Sequence, residues 1–131
     1  MTQSSPIHKA LFEEATIGII VANIRGEIVE ANPFSCKLFG YEADELIQKK
    51  VEELMPQTYR NRHVQHRQNY CKEPTPRVMG TELELYGLRK DGSAFPIKIS
   101  LSYTKVGEEL LAIAYVSDDT LQQKMLHEVR Q

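Results

Sequence analysis

Gly18-Ile-Ile-Val-Ala-Asn-Ile-Arg-Gly-Glu-Ile-Val-Glu-Ala-Asn-Pro33 holds two short strands, a turn and the start of a helix. Gly18 to Ala22 is a β-branched run and Glu27 to Ala31 is a second, both suited to a pleated strand. Between them Asn23-Ile24-Arg25-Gly26 supplies hairpin chemistry, with Gly26 free to take positive φ. Asn32 is a strong N-cap, and Pro33 at the first helical position loses no hydrogen bond, so a helix is predicted to open there. It is predicted to close at Gly40, after Phe34, Leu38 and Phe39 have presented an apolar face.

Upstream, Ile7 to Ala15 reads as a short helix with Ile7, Leu11 and Phe12 on one side. Downstream, two short helical pieces fall around Glu42–Ile47 and Val51–Leu54. Pro56 opens a longer helix that must stop before Pro74 and Pro76. The period then changes to two. Leu83 and Leu85 alternate with Glu82 and Glu84, and Lys90-Asp91-Gly92-Ser93 makes a turn. Phe95, Ile97, Ile99, Leu101 and Tyr103 alternate with polar residues, and a turn near Gly107 leads to a last run, Leu110 to Val116. This order predicts an α+β domain. Its five-stranded antiparallel sheet has helices packed on one face, the face holding Val21, Ile99 and Leu101, with terminal helices flanking. The expected division is a flanking helix at 1–15, the domain at 16–120 and a linker helix beginning at 121–131.

At 131 residues, with 41% hydrophobic and 26% charged residues, the chain suits one soluble core. A net charge of −2 gives no electrostatic reason to expect nucleic acid or an anionic membrane as partner. No apolar stretch is long enough to span a bilayer, and Met1 to Pro6 lacks the pattern of a secretory signal. Cys36 and Cys71 form no disulfide framework and no metal-type pair, so a reducing cytoplasm is the expected compartment.

With the element order in hand, the local words resemble PAS domains from about Leu11 to Thr120. They are Gly26-Glu-Ile-Val-Glu-Ala-Asn-Pro33, Leu38-Phe-Gly-Tyr41 with Glu45-Leu46, Gly87-Leu-Arg-Lys-Asp-Gly-Ser-Ala-Phe-Pro96, and Asp118-Asp-Thr120. Each word alone is weak, and their joint occurrence in order is specific. The resemblance implies a sensory domain of a larger signalling protein, such as a sensor histidine kinase of a two-component system or a cyclase. Such a domain would respond to a small ligand or to a redox or gas state. It also implies that Asp118 and Thr120, where the last strand gives way to the exit helix, relay a change in the core to the attached effector.

In the middle segment Tyr59, His63, His66 and Tyr70 recur at spacings of four, three and four, along one helix face. A neutral imidazole there can ligate iron or zinc. For zinc, His63 and His66 have no carboxylate or thiolate partner in the pattern. Arg60-Asn-Arg-His63 and Pro76-Arg-Val-Met-Gly80 resemble the oxygen-sensing haem PAS kinases. That resemblance implies His63 as proximal ligand to haem iron, with Val78, Ile99 and Leu101 as the apolar wall opposite. The arginine that donates to bound gas in that group is replaced here by Leu83, which has no donor. The competing reading makes His63 a solvated or core-packed side chain.

The reactive Asn-Cys-Arg-Phe-Leu-Gln word of flavin photosensors is missing, so no flavin is expected. There is no Gly-rich phosphate loop, no Gly-x-Ser-x-Gly elbow and no His-Glu-x-x-His helix, and nothing in the sequence argues for an enzyme.

Leu121, Met125 and Val129 fall at i, i+4 and i+8. They serve either a helix capping its own domain or the first turns of a coiled coil. A homodimer through the terminal helices is expected, with a monomer whose helices cover the outer sheet face as its rival. The alternative for the whole chain, from another functional class, is a ligand-free dimerisation or protein-interaction module.

Overall fold

A computed structural model describes residues 5–56, 77–79, 85–121 and 124–125. The chain opens with helix α1 (Pro6–Glu13), whose N-cap Ser5 accepts from the His8 amide. Strands β1 (Gly18–Asn23) and β2 (Ile28–Ala31) follow, joined by a turn in which Gly26 has φ 82°. Asn23 shapes that turn by accepting from the amides of Arg25 and Glu27, at 3.0 Å each. Helix α2 (Pro33–Phe39) then runs from Asn32, which caps the Ser35 amide, to Gly40, left-handed at φ 78°. Helix α3 (Ala43–Ile47) and a 3-10 turn (Val51–Leu54) complete this side. The helix predicted from Pro56 to before Pro74 lies outside the described residues.

Strands β3 (Arg77–Met79), β4 (Leu85–Leu88), β5 (Ala94–Val106) and β6 (Glu109–Asp118) build the remainder of the sheet. Every pairing is antiparallel, in the order β2-β1-β6-β5-β3, with β4 also paired to β5. The expected five strands are therefore five positions. The fifth is shared by two short strands, β3 against Ile99–Leu101 and β4 against Ala94–Ile97.

The core lies between the sheet and α2, α3 and the 3-10 turn, and contains Ile20, Ile28, Phe39, Leu46, Leu54, Phe95, Ile97 and Val116. Directly paired residues share a face, so the register assigns sides. Ile20, Ala114 and Leu101 form one row, and Gly18, Val116 and Ile99 the next, both on the core side. Val21 pairs with Ile113, which pairs with Ser102, on the opposite face. The sequence-based grouping of Val21 with Ile99 and Leu101 is thus corrected, while the latter two do share the helix-covered face. The Gly18–Val116 pair also sets the chain's entry to the sheet beside its exit.

Candidate functional site

The exit from β6 is organised by side chains of the last strand and the turn after β4. Asp118 Oδ1 accepts the Thr120 amide at 2.8 Å and also the Thr120 hydroxyl, closing an Asx-type turn as the backbone becomes helical at 120–121. The Asp119 amide donates to the Pro96 carbonyl at 2.8 Å. The side chain of Asp119 is buried, with Lys98 Nζ 3.7 Å from Oδ1. The junction is therefore tied to β5 as well as to its own turn.

Arg89 joins this junction to the core. One guanidinium nitrogen lies 3.8 Å from Asp118 Oδ2, another donates to Ser93 Oγ at 3.2 Å, and the guanidinium carbon sits 4.0 Å from the Phe95 ring centroid. A guanidinium over an aromatic face is attracted by the ring quadrupole. Phe95 in turn meets Phe39 edge-on, with centroids 5.4 Å apart and planes at 65°. The path from helix α2 to the exit is then Phe39, Phe95, Arg89 and Asp118.

Lys90, the next residue, fastens the same turn to the helices. Its amide donates to the Phe39 carbonyl at 2.9 Å and its ammonium to Glu45 Oε2 at 2.6 Å. The hydrogen bond from Lys90 lowers the Glu45 carboxyl below its usual range, and the same bond raises Lys90. Both groups are solvent-exposed, so this link positions more than it stabilises. Asp91 closes the turn through the Ser93 amide and hydroxyl, which hold its carboxyl low.

The residues expected around a haem are distributed unevenly. His63 and Leu83 lie outside the described residues. Ile99 packs partly buried against the core, and Leu101, half-buried, pairs with Ala114. Val78 is set opposite Ser100, the residue between Ile99 and Leu101 along β5, whereas Met79 and Arg77 stand opposite those two. Cys36 is partly buried, and burial pushes its thiol up, as suits a small packed hydrophobe. Among the described residues no group of three or more His, Cys, Asp or Glu could hold a metal ion. No helix among them is long and apolar enough to cross a membrane.

Sequence reasoning placed Asp118 and Thr120 at the junction but gave Arg89 no part there. Its partners come from β5 and β6, and no spacing rule announces a contact across three strands.

A family model described as PAS domain matches residues 16–120. The chain is 27% identical over 119 residues to the oxygen sensor protein DosP of Escherichia coli, covering 91% of this chain and 15% of that protein. It is 31% identical over 98 residues to a probable serine/threonine-protein kinase of Dictyostelium discoideum, covering 75% of this chain and 6% of the kinase. Among solved structures, a PAS domain from Colwellia psychrerythraea superposes with a TM-score of 0.76 at 19% identity, covering 88% of this chain and 96% of that one. The chain thus spans a small part of the length of the curated relatives it matches.

Proposed function

The chain belongs to the PAS domain family, and from that premise we propose that it is a sensory input module regulating an attached effector. It registers a small ligand, or a redox or gas state, in its core and passes the change through the exit from β6. The observation that carries this reading is Arg89, which leans on the core ring of Phe95 and pairs with Asp118 at the exit. A repacking of Phe39 and Phe95 would move the guanidinium, and with it the Asp118–Thr120 turn from which the exit helix starts. The effector is a kinase or cyclase in the longer protein, and the domain itself catalyses nothing.

Denaturing extraction of the purified domain, followed by mass spectrometry, tests the reading. A small molecule in near-stoichiometric amount is the expected result. An empty, fully packed core would instead favour a module that only dimerises or binds other proteins.

The likeness to a protein named as an oxygen sensor favours haem as a specific form of the ligand. His63 would be the iron ligand, and Ile99 and Leu101 would contribute apolar surface on the core side of the sheet. The fit is partial, because Val78 falls in register with Ser100 rather than with those two. Protein purified from haem-supplemented cells is expected to show a Soret band that His63→Ala abolishes or shifts. No band in the unaltered protein, or an unchanged band in the variant, rejects His63 as ligand.

Assembly is the remaining element of the proposal: a homodimer through the terminal helices. Ile7 and Leu11 are 71% and 64% exposed, and Leu121 and Met125 are exposed too. Burying such stripes gains roughly 25 cal/mol per Å², enough for modest association once the cost of immobilisation is met. Sedimentation is expected to show a concentration-dependent dimer that weakens when residues 121–131 are deleted. A monomer at high concentration with and without those residues would defeat it.

A further inference from the structure

Helix α1 has no buried residue, whereas α2, α3 and the 3-10 turn each bury at least one. Its C-terminal end is where the domain body holds it. The Glu14 amide closes the last turn on the Ala10 carbonyl at 2.8 Å. The carbonyls that follow in a helix have no intrahelical partner, and that of Phe12 is taken by Asn32 Nδ2 at 3.1 Å. The same nitrogen donates to the Ile17 carbonyl at 3.0 Å. Asn32 Oδ1 accepts the amides of Ile19, at the start of β1, and Ser35, in the first turn of α2, at 2.8 and 3.0 Å. A carboxamide offers two donors and two acceptor sites, and here all four are used by a side chain that is fully buried. Among the described residues it is the only side chain of the domain body hydrogen-bonded to α1.

We propose that α1 is a detachable helix and that the Asn32 carboxamide is its latch. The donor half holds the end of α1, and the acceptor half holds the corner where β1 begins and α2 starts. A rotation of that corner turns the carboxamide, and the Phe12 carbonyl loses its donor. Eight residues are too few to remain helical alone in water, so release also melts α1 and breaks up the stripe that Ile7 and Leu11 expose. The domain then has a second outlet, at its N-terminal side, besides the exit from β6. This mechanism stands on the geometry of the corner and needs no particular ligand.

Asn32→Asp separates the two halves. It keeps an oxygen for the Ile19 and Ser35 amides, and it sets a second oxygen against the Phe12 and Ile17 carbonyls where a donor had been. Amide hydrogen exchange on the whole chain reads the result at Lys9 and Glu14, bonded within α1 to Ser5 and Ala10, and along the β5–β6 ladder. Protection in α1 is expected to fall by at least about tenfold more than in the ladder, as loss of one hydrogen bond implies. Equal losses in both places, or an unchanged α1, would overturn the latch. Should the variant not fold, exchange in the unaltered chain decides. The α1 amides are expected to exchange through openings insensitive to low urea, while ladder amides follow urea; α1 amides tracking the ladder would overturn the proposal.

Discussion

Asn32→Ala is expected to destabilise the domain by about 4 kcal/mol, a large part of the roughly 5–15 kcal/mol that holds such a domain together. The substitution removes the cap of α2, worth about 1 kcal/mol. It also strands the amide of Ile19 and the carbonyls of Phe12 and Ile17 in a part-buried corner. Each stranded buried group costs about 1–3 kcal/mol, less whatever water can recover in the space left by the amide. Urea unfolding measures the loss as a lower midpoint with an unchanged slope. A loss below about 1 kcal/mol would mean that the corner relaxes and that the four bonds are not the constraint they look.

Gly87→Ala is the sharper case because two effects oppose each other. Alanine in a strand normally gains about 0.5–1 kcal/mol over glycine. At Gly87, however, an added Cβ would stand 2.9 Å from Cε1 of Phe39 and 2.9 Å from Cε1 of Phe95. Both rings are buried and locked edge to face, so neither can swing away as a flexible surface chain could. Overpacking of this kind costs about 1–3 kcal/mol, so the clash wins and the variant is expected to be less stable by about 1–2 kcal/mol. Thermal or urea unfolding gives the sign directly. A neutral or stabilised variant would show that the ring pair has room to shift, and with it that Phe95 is free to move beneath Arg89.

The elements set by local chemistry were legible in the sequence. Asn32-Pro33 and Gly40 bound α2 as read, because an N-cap, a proline at N1 and a left-handed C-cap act within a few residues of one another. The long strands were legible from their alternation, which comes from one face being buried. Val21 was assigned to the wrong face for a related reason. Strand β1 lies between β2 and β6 and is apolar at Ile19, Ile20, Val21 and Ala22 alike, so it lacks the alternation that would fix its phase. Asn32 was seen as a cap and no more, because its other partners, Phe12, Ile17 and Ile19, lie twenty, fifteen and thirteen residues away in the chain. The seating of Phe39 and Phe95 on Gly87 was invisible for the same reason, as was the bridge from Arg89 to Asp118.

The direct pairing of Gly18 with Val116 leaves the two ends of the sheet-forming chain about one strand spacing apart, roughly 4.8 Å. Cutting the body out at those points would barely change the distance between the segments on either side, and splicing it in would barely spread them. Domains with such neighbouring ends tolerate insertion into longer chains and rearrangement of their chain order. Genes could therefore gain, lose or duplicate this unit between existing modules without each recombination having to be repaired by new linkers.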